Sequence, residues 1–166
     1  MTRKTIICVI AAVALAGLLC SCQKQQSELK ISNVKETAQV IGKVTYNIGY
    51  KDGNYNTYVP AKNVTVIARI PYTQYSGSSA TGNYTVKANT DASGNYTLTI
   101  PVGVKTISGT VTVQPFKADK YQQVGTETKT ISNALYNNST VLNFSVSSGQ
   151  VVRCNLQVTS SDVYEE

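Results

Sequence analysis

Histidine and tryptophan are both missing from the 166 residues, and methionine occurs once, at position 1. Without histidine there is no Ser-His-Asp or Cys-His relay, and the usual zinc sites lose their commonest nitrogen ligand. Charge is sparse as well: 14% of residues are Asp, Glu, Lys or Arg, where about 25% is ordinary. Beyond Lys4 the lysines are scattered from Lys24 to Lys129 with no basic run and no stripe interleaved with aromatics, so the footprint of a nucleic-acid binder is missing. Acids are few, and Glu28, Glu36, Asp52, Asp91, Asp119, Glu127, Asp162, Glu165 and Glu166 lie mostly in turns or near the ends. No two of them have a reason in the sequence to converge as acid and base, so the chain reads as no enzyme. Asp91 stands alone in its turn, without the several oxygen ligands a calcium loop needs; no metal and no cofactor is expected.

The first residues do carry a pattern. Arg3 and Lys4 precede an almost unbroken apolar stretch from Ile6 to Leu19, followed by Cys20, Ser21, Cys22 and the polar Gln23-Lys24-Gln25-Gln26. A charged start, a short apolar segment and a small residue before a cut define a secretory signal, whereas a bilayer-spanning helix needs about 20 apolar residues. Leu19-Cys20-Ser21-Cys22 resembles the lipobox of bacterial lipoproteins, with an aliphatic residue three positions before the modified cysteine and a small one just before it. The resemblance implies cleavage before Cys22, lipidation (palmitate-type acylation) of Cys22, and a membrane partner reached through that anchor. Residues 1–21 are then the signal peptide, 22–37 the lipidated cysteine and a flexible tether, 38–160 one domain, and 161–166 a polar tail. Loss of Arg3 and Lys4 takes the 15 basic residues to 13 against 9 acidic ones, a mild surplus.

Cys8 and Cys20 leave with the signal and Cys22 takes lipid, so Cys154 is left without a disulfide partner. Alternation places Cys154 on one face with Val152, Leu156 and Val158, which reads as a small buried hydrophobe.

Period-two alternation runs through the domain. It marks strands over residues 40–48, 64–70, 84–88, 96–100, 106–113, 126–131, 141–146 and 151–158, with a loop rich in Lys, Gln and Gly after Pro115. Asp52-Gly53 and the Asp91–Gly94 stretch are turn signals. Helical periodicity is weak throughout. The pattern predicts an all-β fold: a single antiparallel Greek-key β-sandwich of about seven strands.

The order of motifs is similar to the carboxypeptidase regulatory-like, or transthyretin-like, β-sandwich. It consists of Ile41-Gly42-Lys43-Val44, then Val59-Pro60-Ala61 leading into Val64-Thr65-Val66, then Thr90-Asp91-Ala92-Ser93-Gly94-Asn95-Tyr96-Thr97-Leu98, closed by Ile100-Pro101. That resemblance implies a non-catalytic structural or interaction module, with Asp91, Gly94 and Tyr96 as turn and packing residues. The lipobox and the Gln-Lys-Gln-Gln after it are similar to Bacteroidetes lipoproteins, which implies the cell envelope, at the outer membrane. Lys43 on the first strand and Asn155 on the last could face each other as in isopeptide-bonded adhesin modules, but both fall on the outward set and read as solvated strand residues.

Eleven tyrosines remain. Tyr72, Tyr75 and Tyr84 bracket a Ser- and Gly-rich loop, and Tyr50, Tyr55 and Tyr58 surround Asp52-Gly53. Tyrosine on loops of a rigid sandwich suits protein contact or sugar stacking. The leading expectation is an envelope lipoprotein contacting another protein, and the alternative is an accessory lipoprotein that binds carbohydrate through Tyr72, Tyr75 and Tyr84.

Overall fold

The computed structural model describes residues 34–76 and 81–163. The signal, Cys22 and most of the tether lie outside the described residues, as do residues 164–166 of the tail.

The alternating segments form eleven strands in two sheets. β1 (Glu36–Asn47), β2 (Tyr58–Pro60), β5 (Asn95–Val102), β7 (Phe116–Val124), β8 (Glu127–Ser139), β10 (Val151–Arg153) and β11 (Leu156–Ser160) make the larger sheet. β3 (Thr65–Pro71), β4 (Asn83–Asn89), β6 (Ile107–Val113) and β9 (Leu142–Val146) make the smaller, in the order β4-β3-β6-β9. One helical turn, α1 (Thr73–Ser76), follows β3. The inner faces bring Val40, Val44, Leu98, Ile100, Leu156 and Val158 into one core with Val66, Ala68, Ile70, Val111, Phe144 and Val146. Each such aliphatic side chain taken from water contributes about 1.5–3 kcal/mol.

The all-β sandwich is the expected class. Its detail differs from a seven-stranded antiparallel array. β1 runs the length of the larger sheet and has different neighbours on its two halves. Antiparallel β5 pairs from Glu36↔Val102 to Lys43↔Asn95, while parallel β10 pairs at Gln39↔Val151. Further along, antiparallel β2 pairs at Tyr46↔Val59 and parallel β11 at Val44↔Leu156. The first and last strands therefore run side by side in one direction, which alternation alone cannot reveal.

β10 and β11 keep one register against β1 and are separated only at Cys154 and Asn155. There the Cys154 N–H donates to the Ile41 carbonyl (2.8 Å), and the Lys43 N–H turns to the Asn155 side-chain oxygen (3.1 Å) instead of a backbone carbonyl. The Cys154 carbonyl is left to Tyr96, whose buried hydroxyl donates to it at 2.5 Å. It lies so near β1 that a Cβ on Gly42 would stand 1.9 Å from it. Cys154 itself is buried, and burial pushes its thiol pKa up. Lys43 and Asn155 do meet, but through a backbone N–H and on the exposed surface.

Three segments depart from the expected boundaries. β1 begins at Glu36, within the stretch assigned to the tether. The segment after Pro115, expected as a loop, is the nine-residue strand β7, and β8 runs to Ser139 rather than stopping near residue 131. The register shifts between Ala118 and Lys120, and Asn133 on the partner strand has φ 58°. That irregularity breaks the alternation by which a strand is recognised. The tail is pinned at its start: the Leu135 N–H donates to the Asp162 carboxylate (2.6 Å), and the Lys120 ammonium donates to the carbonyls of Ser160 and Asp162.

Candidate functional site

The loop after β1 folds back on itself as a narrow hairpin. Ile48 N–H donates to the Thr57 carbonyl, and Lys51 and Asn54 exchange backbone bonds (2.8 and 2.9 Å). Asp52 (φ 50°) and Gly53 (φ 83°) occupy the two turn positions, the left-handed pair that an Asp-Gly dipeptide favours. Tyr50 and Tyr55 face each other across this hairpin with ring centroids 4.9 Å apart.

A second, longer hairpin, β7 with β8, lies beside the first. The two are joined through the main chain: the Tyr121 N–H donates to the Ile48 carbonyl (2.7 Å) and the Tyr50 N–H to the Tyr121 carbonyl (2.9 Å). Gly49 makes this approach possible. It has φ +84°, and a Cβ there would lie 2.1 Å from the Tyr121 carbonyl oxygen. The larger sheet thereby curls back on itself, from β1 through β11, β8 and β7 to the segment just after β1. Beneath the junction Tyr46, Phe116 and Tyr136 form an aromatic cluster, Tyr46 edge-on to Tyr136 at 4.9 Å and Phe116 stacked on Tyr136 at 5.2 Å. The Tyr136 hydroxyl donates to the Asn47 carbonyl (3.0 Å), and its burial, first among several causes, raises its pKa. At the rim the Tyr55 hydroxyl, on a residue 64% exposed, donates to the Gln123 side-chain oxygen.

Between the hairpins is a cleft of about 490 Å³, lined by Tyr46, Tyr50 and Tyr121 together with Lys51, Asp52, Asp119 and Thr128. It joins aromatic surface to charged and hydroxyl groups, the mixture that recognises a ligand with both apolar faces and hydroxyls. Asp52 and Asp119, which nothing in the sequence drew together, both reach it. Both residues are exposed, whereas a carboxyl is made into a general acid by burying it. Among the described residues no group of three or more His, Cys, Asp or Glu side chains could hold a metal.

The tyrosines singled out at the other loop are placed differently. Tyr75 is half-buried, donates its hydroxyl to the Pro101 carbonyl (2.9 Å) and packs edge-on against Tyr84 at 5.7 Å. Burial, with Tyr84 adding to it, moves the Tyr75 pKa from 10.0 to about 12. Tyr72 is half-buried and its N–H bonds the Gly82 carbonyl, closing the loop. These rings brace that end of the sandwich. Tyr50 and Tyr121 are half-buried as well; what sets them apart is that both line the cleft beside the Asp-Gly turn, while the most exposed rings among the described residues are Tyr55 and Tyr58 around the same turn. The missed residue is Tyr121: it sits in the segment expected to be a loop, and only the closure at Gly49 brings it to Tyr50. The turn residues lie where the motif places them. The Asp91 carboxylate accepts from the backbone N–H (2.8 Å) and side-chain amide (3.1 Å) of Asn95 and from the N–H of Ser93 (2.8 Å), which lowers its pKa. Gly94 has φ +80°, and Tyr96 points inward, 4% exposed.

No protein-family model matches the chain, and no curated protein matches it. Solved structures similar to it include a Pseudomonas aeruginosa protein provisionally assigned as carbohydrate binding, 14% identical over 74% of this chain and 88% of that one, with TM-score 0.44. Others are the shaft pilin SpaA of Lactobacillus rhamnosus GG, 12% identical over 78% and 52% of the two chains (TM-score 0.42), and the major plantain pollen allergen Pla l 1, 14% identical over 78% and 98% (TM-score 0.40).

Proposed function

We propose that this chain is a lipid-anchored, non-catalytic envelope protein, carrying a carboxypeptidase regulatory-like sandwich, whose domain binds a neutral glycan in the cleft between the two hairpins. The observation that carries the binding is the pair Tyr50 and Tyr121 beside Lys51, Asp52, Asp119 and Thr128. Rings offer faces to the C–H surface of a pyranose, and the flanking polar groups bond its hydroxyls. The anchor rests on the lipobox resemblance at Leu19–Cys22 and on the short apolar stretch before it. No helix among the described residues is long and apolar enough to cross a membrane. The non-catalytic reading rests on the absence of histidine and on the exposure of both cleft carboxylates.

A protein partner, the leading expectation from sequence, would need a free strand edge or an apolar patch. The stretch of β8 from Glu127 to Ala134 that β11 does not pair carries Glu127 and Lys129, an ion pair, and faces the β7 irregularity. Charges and bulges of this kind guard an edge against added strands.

Tyr50→Ala together with Tyr121→Ala should weaken binding on a glycan array by about tenfold or more, as expected for ring contacts worth on the order of 1.4 kcal/mol or more. Retained binding, or release of reducing ends from the bound glycan, overturns the reading. Cys22→Ala, or globomycin treatment, should move the protein from the membrane fraction to the soluble one; an unchanged distribution refutes the anchor.

A further inference from the structure

The outward face of the smaller sheet holds a second feature, on the other sheet from the cleft. None of β3, β4, β6 or β9 contains an aspartate or glutamate; their charged residues are Arg69 and Lys87. The register puts both on the outer face. Val66, Ala68 and Ile70 point into the core, so Ile67 and Arg69 point away from it, and Lys87 lies opposite Ile67. Arg69 is flanked by Thr85 on one side and Thr110 on the other, with Asn143 next across the sheet. Ile67, though on the solvent side, is only 7% exposed.

A trough of about 560 Å³ lies on this face, lined by Arg69, Gln74, Asn83, Thr110 and Asn143 together with Pro71 and Phe144, so that polar groups stand over a largely apolar surface. Its wall is fixed, not loose: the Ser108 N–H donates to the Gln74 side-chain oxygen (3.2 Å), and the Ser108 and Ser145 hydroxyls share a hydrogen bond (3.0 Å). The guanidinium of Arg69 is exposed, and among the described residues it makes no ion pair or hydrogen bond. An arginine on an inner strand of an acid-free face, flanked by amides and hydroxyls on a partly apolar surface and with no tyrosine in the lining, selects by charge and hydrogen bonding. Its planar fork matches the paired oxygens of a carboxylate or sulfate.

We propose that this trough is a second binding site, for an acidic polysaccharide bearing uronate carboxylates or sulfate esters. Arg69 grips the acidic group in a forked contact, the flanking amides and hydroxyls bond the sugar hydroxyls, and Lys87 adds attraction along the chain. Two cations are too few for the many phosphate contacts that hold a nucleic acid, whereas one acidic group per sugar unit suits a single arginine.

Affinity electrophoresis of the full mature chain in detergent tests this, with gels containing polygalacturonate, chondroitin sulfate or neutral dextran. Retardation by at least one acidic polymer, weakened by salt and absent with dextran, is expected. Arg69→Gln should reduce it about tenfold or more with an unchanged melting curve, since a charge-assisted bond is lost from an exposed side chain. Arg69→Lys should restore only part. The double variant Tyr50→Ala, Tyr121→Ala should bind the acidic polymers as the parent does, which separates this site from the cleft. Absence of retardation by both acidic polymers, equal retardation of Arg69→Gln and parent, or loss in the tyrosine variant overturns the proposal.

Discussion

At the scale of single residues, the tightest point in the molecule is where β1 passes the break between β10 and β11. Gly42 is needed there for space, because the Cys154 carbonyl occupies the volume a Cβ would take. Gly42→Ala should therefore destabilise the fold by about 3 kcal/mol or more, as overpacking against backbone does, read from the urea midpoint. Tyr96→Phe removes the donor to the same carbonyl while keeping the ring, and should cost about 1–3 kcal/mol for the buried acceptor left unpaired. If Tyr96→Phe were neutral, water would have to reach a carbonyl beside a buried ring. The sequence places Gly42 in a strand and Tyr96 in a turn motif; it cannot show that the two converge on one oxygen 112 residues further along from Gly42. That depends on a parallel pairing between the chain's two ends.

At the scale of elements, the cleft exists because a hairpin of ten residues, Ile48 to Thr57, is bonded to β7. Gly49 and Gly53 both adopt left-handed conformations in it, yet their surroundings differ. Nothing lies within 4 Å of a Cβ on Gly53, whereas one on Gly49 meets the Tyr121 carbonyl. Gly53→Ala should cost about 1 kcal/mol of backbone strain and leave glycan binding intact. Gly49→Ala adds the clash, should cost about 2–3 kcal/mol, and should abolish binding in the cleft, because the main-chain bonds that hold Tyr121 beside the hairpin are lost. Paired urea titrations and array binding distinguish the two. The Asp52-Gly53 turn is legible in the sequence, since only a few residue types tolerate both turn positions. β7 is not legible: polar residues occupy both of its faces, and its register shift interrupts the alternation.

At the scale of the whole molecule, buried phenols set the pH response. Tyr75 is held at about 12 instead of 10.0, and burial raises Tyr96 and Tyr136 as well. In the unfolded chain these groups lose their protons near pH 10, while the native state keeps them to higher pH. Their contribution to stability is thus complete below about pH 10 and is lost as pH rises through the native values. The urea midpoint should stay level through neutral pH and fall as the pH rises from about 10 through 12. A midpoint that stays level to about pH 12 would show that these phenols do not couple ionisation to folding.

Alternation, turn chemistry and the near-absence of helical periodicity determine, by themselves, that this chain forms strands and packs them as a sandwich, because each local choice depends on residues close in sequence. The same holds for the turn at Asp91 and Gly94 and for the burial of Cys154. Tertiary structure alone decides which tyrosines come together. Tyr75 and Tyr84 are drawn inward by packing and by the Pro101 carbonyl, while Tyr50 meets Tyr121 only because the larger sheet curls back on itself at Gly49. The acid-free face around Arg69 belongs to the same class, since four strands dispersed over some eighty residues must pair before the absence of acids among them becomes a surface. Contacts between distant segments are set by sheet order, and sheet order is not written in the period of any one strand.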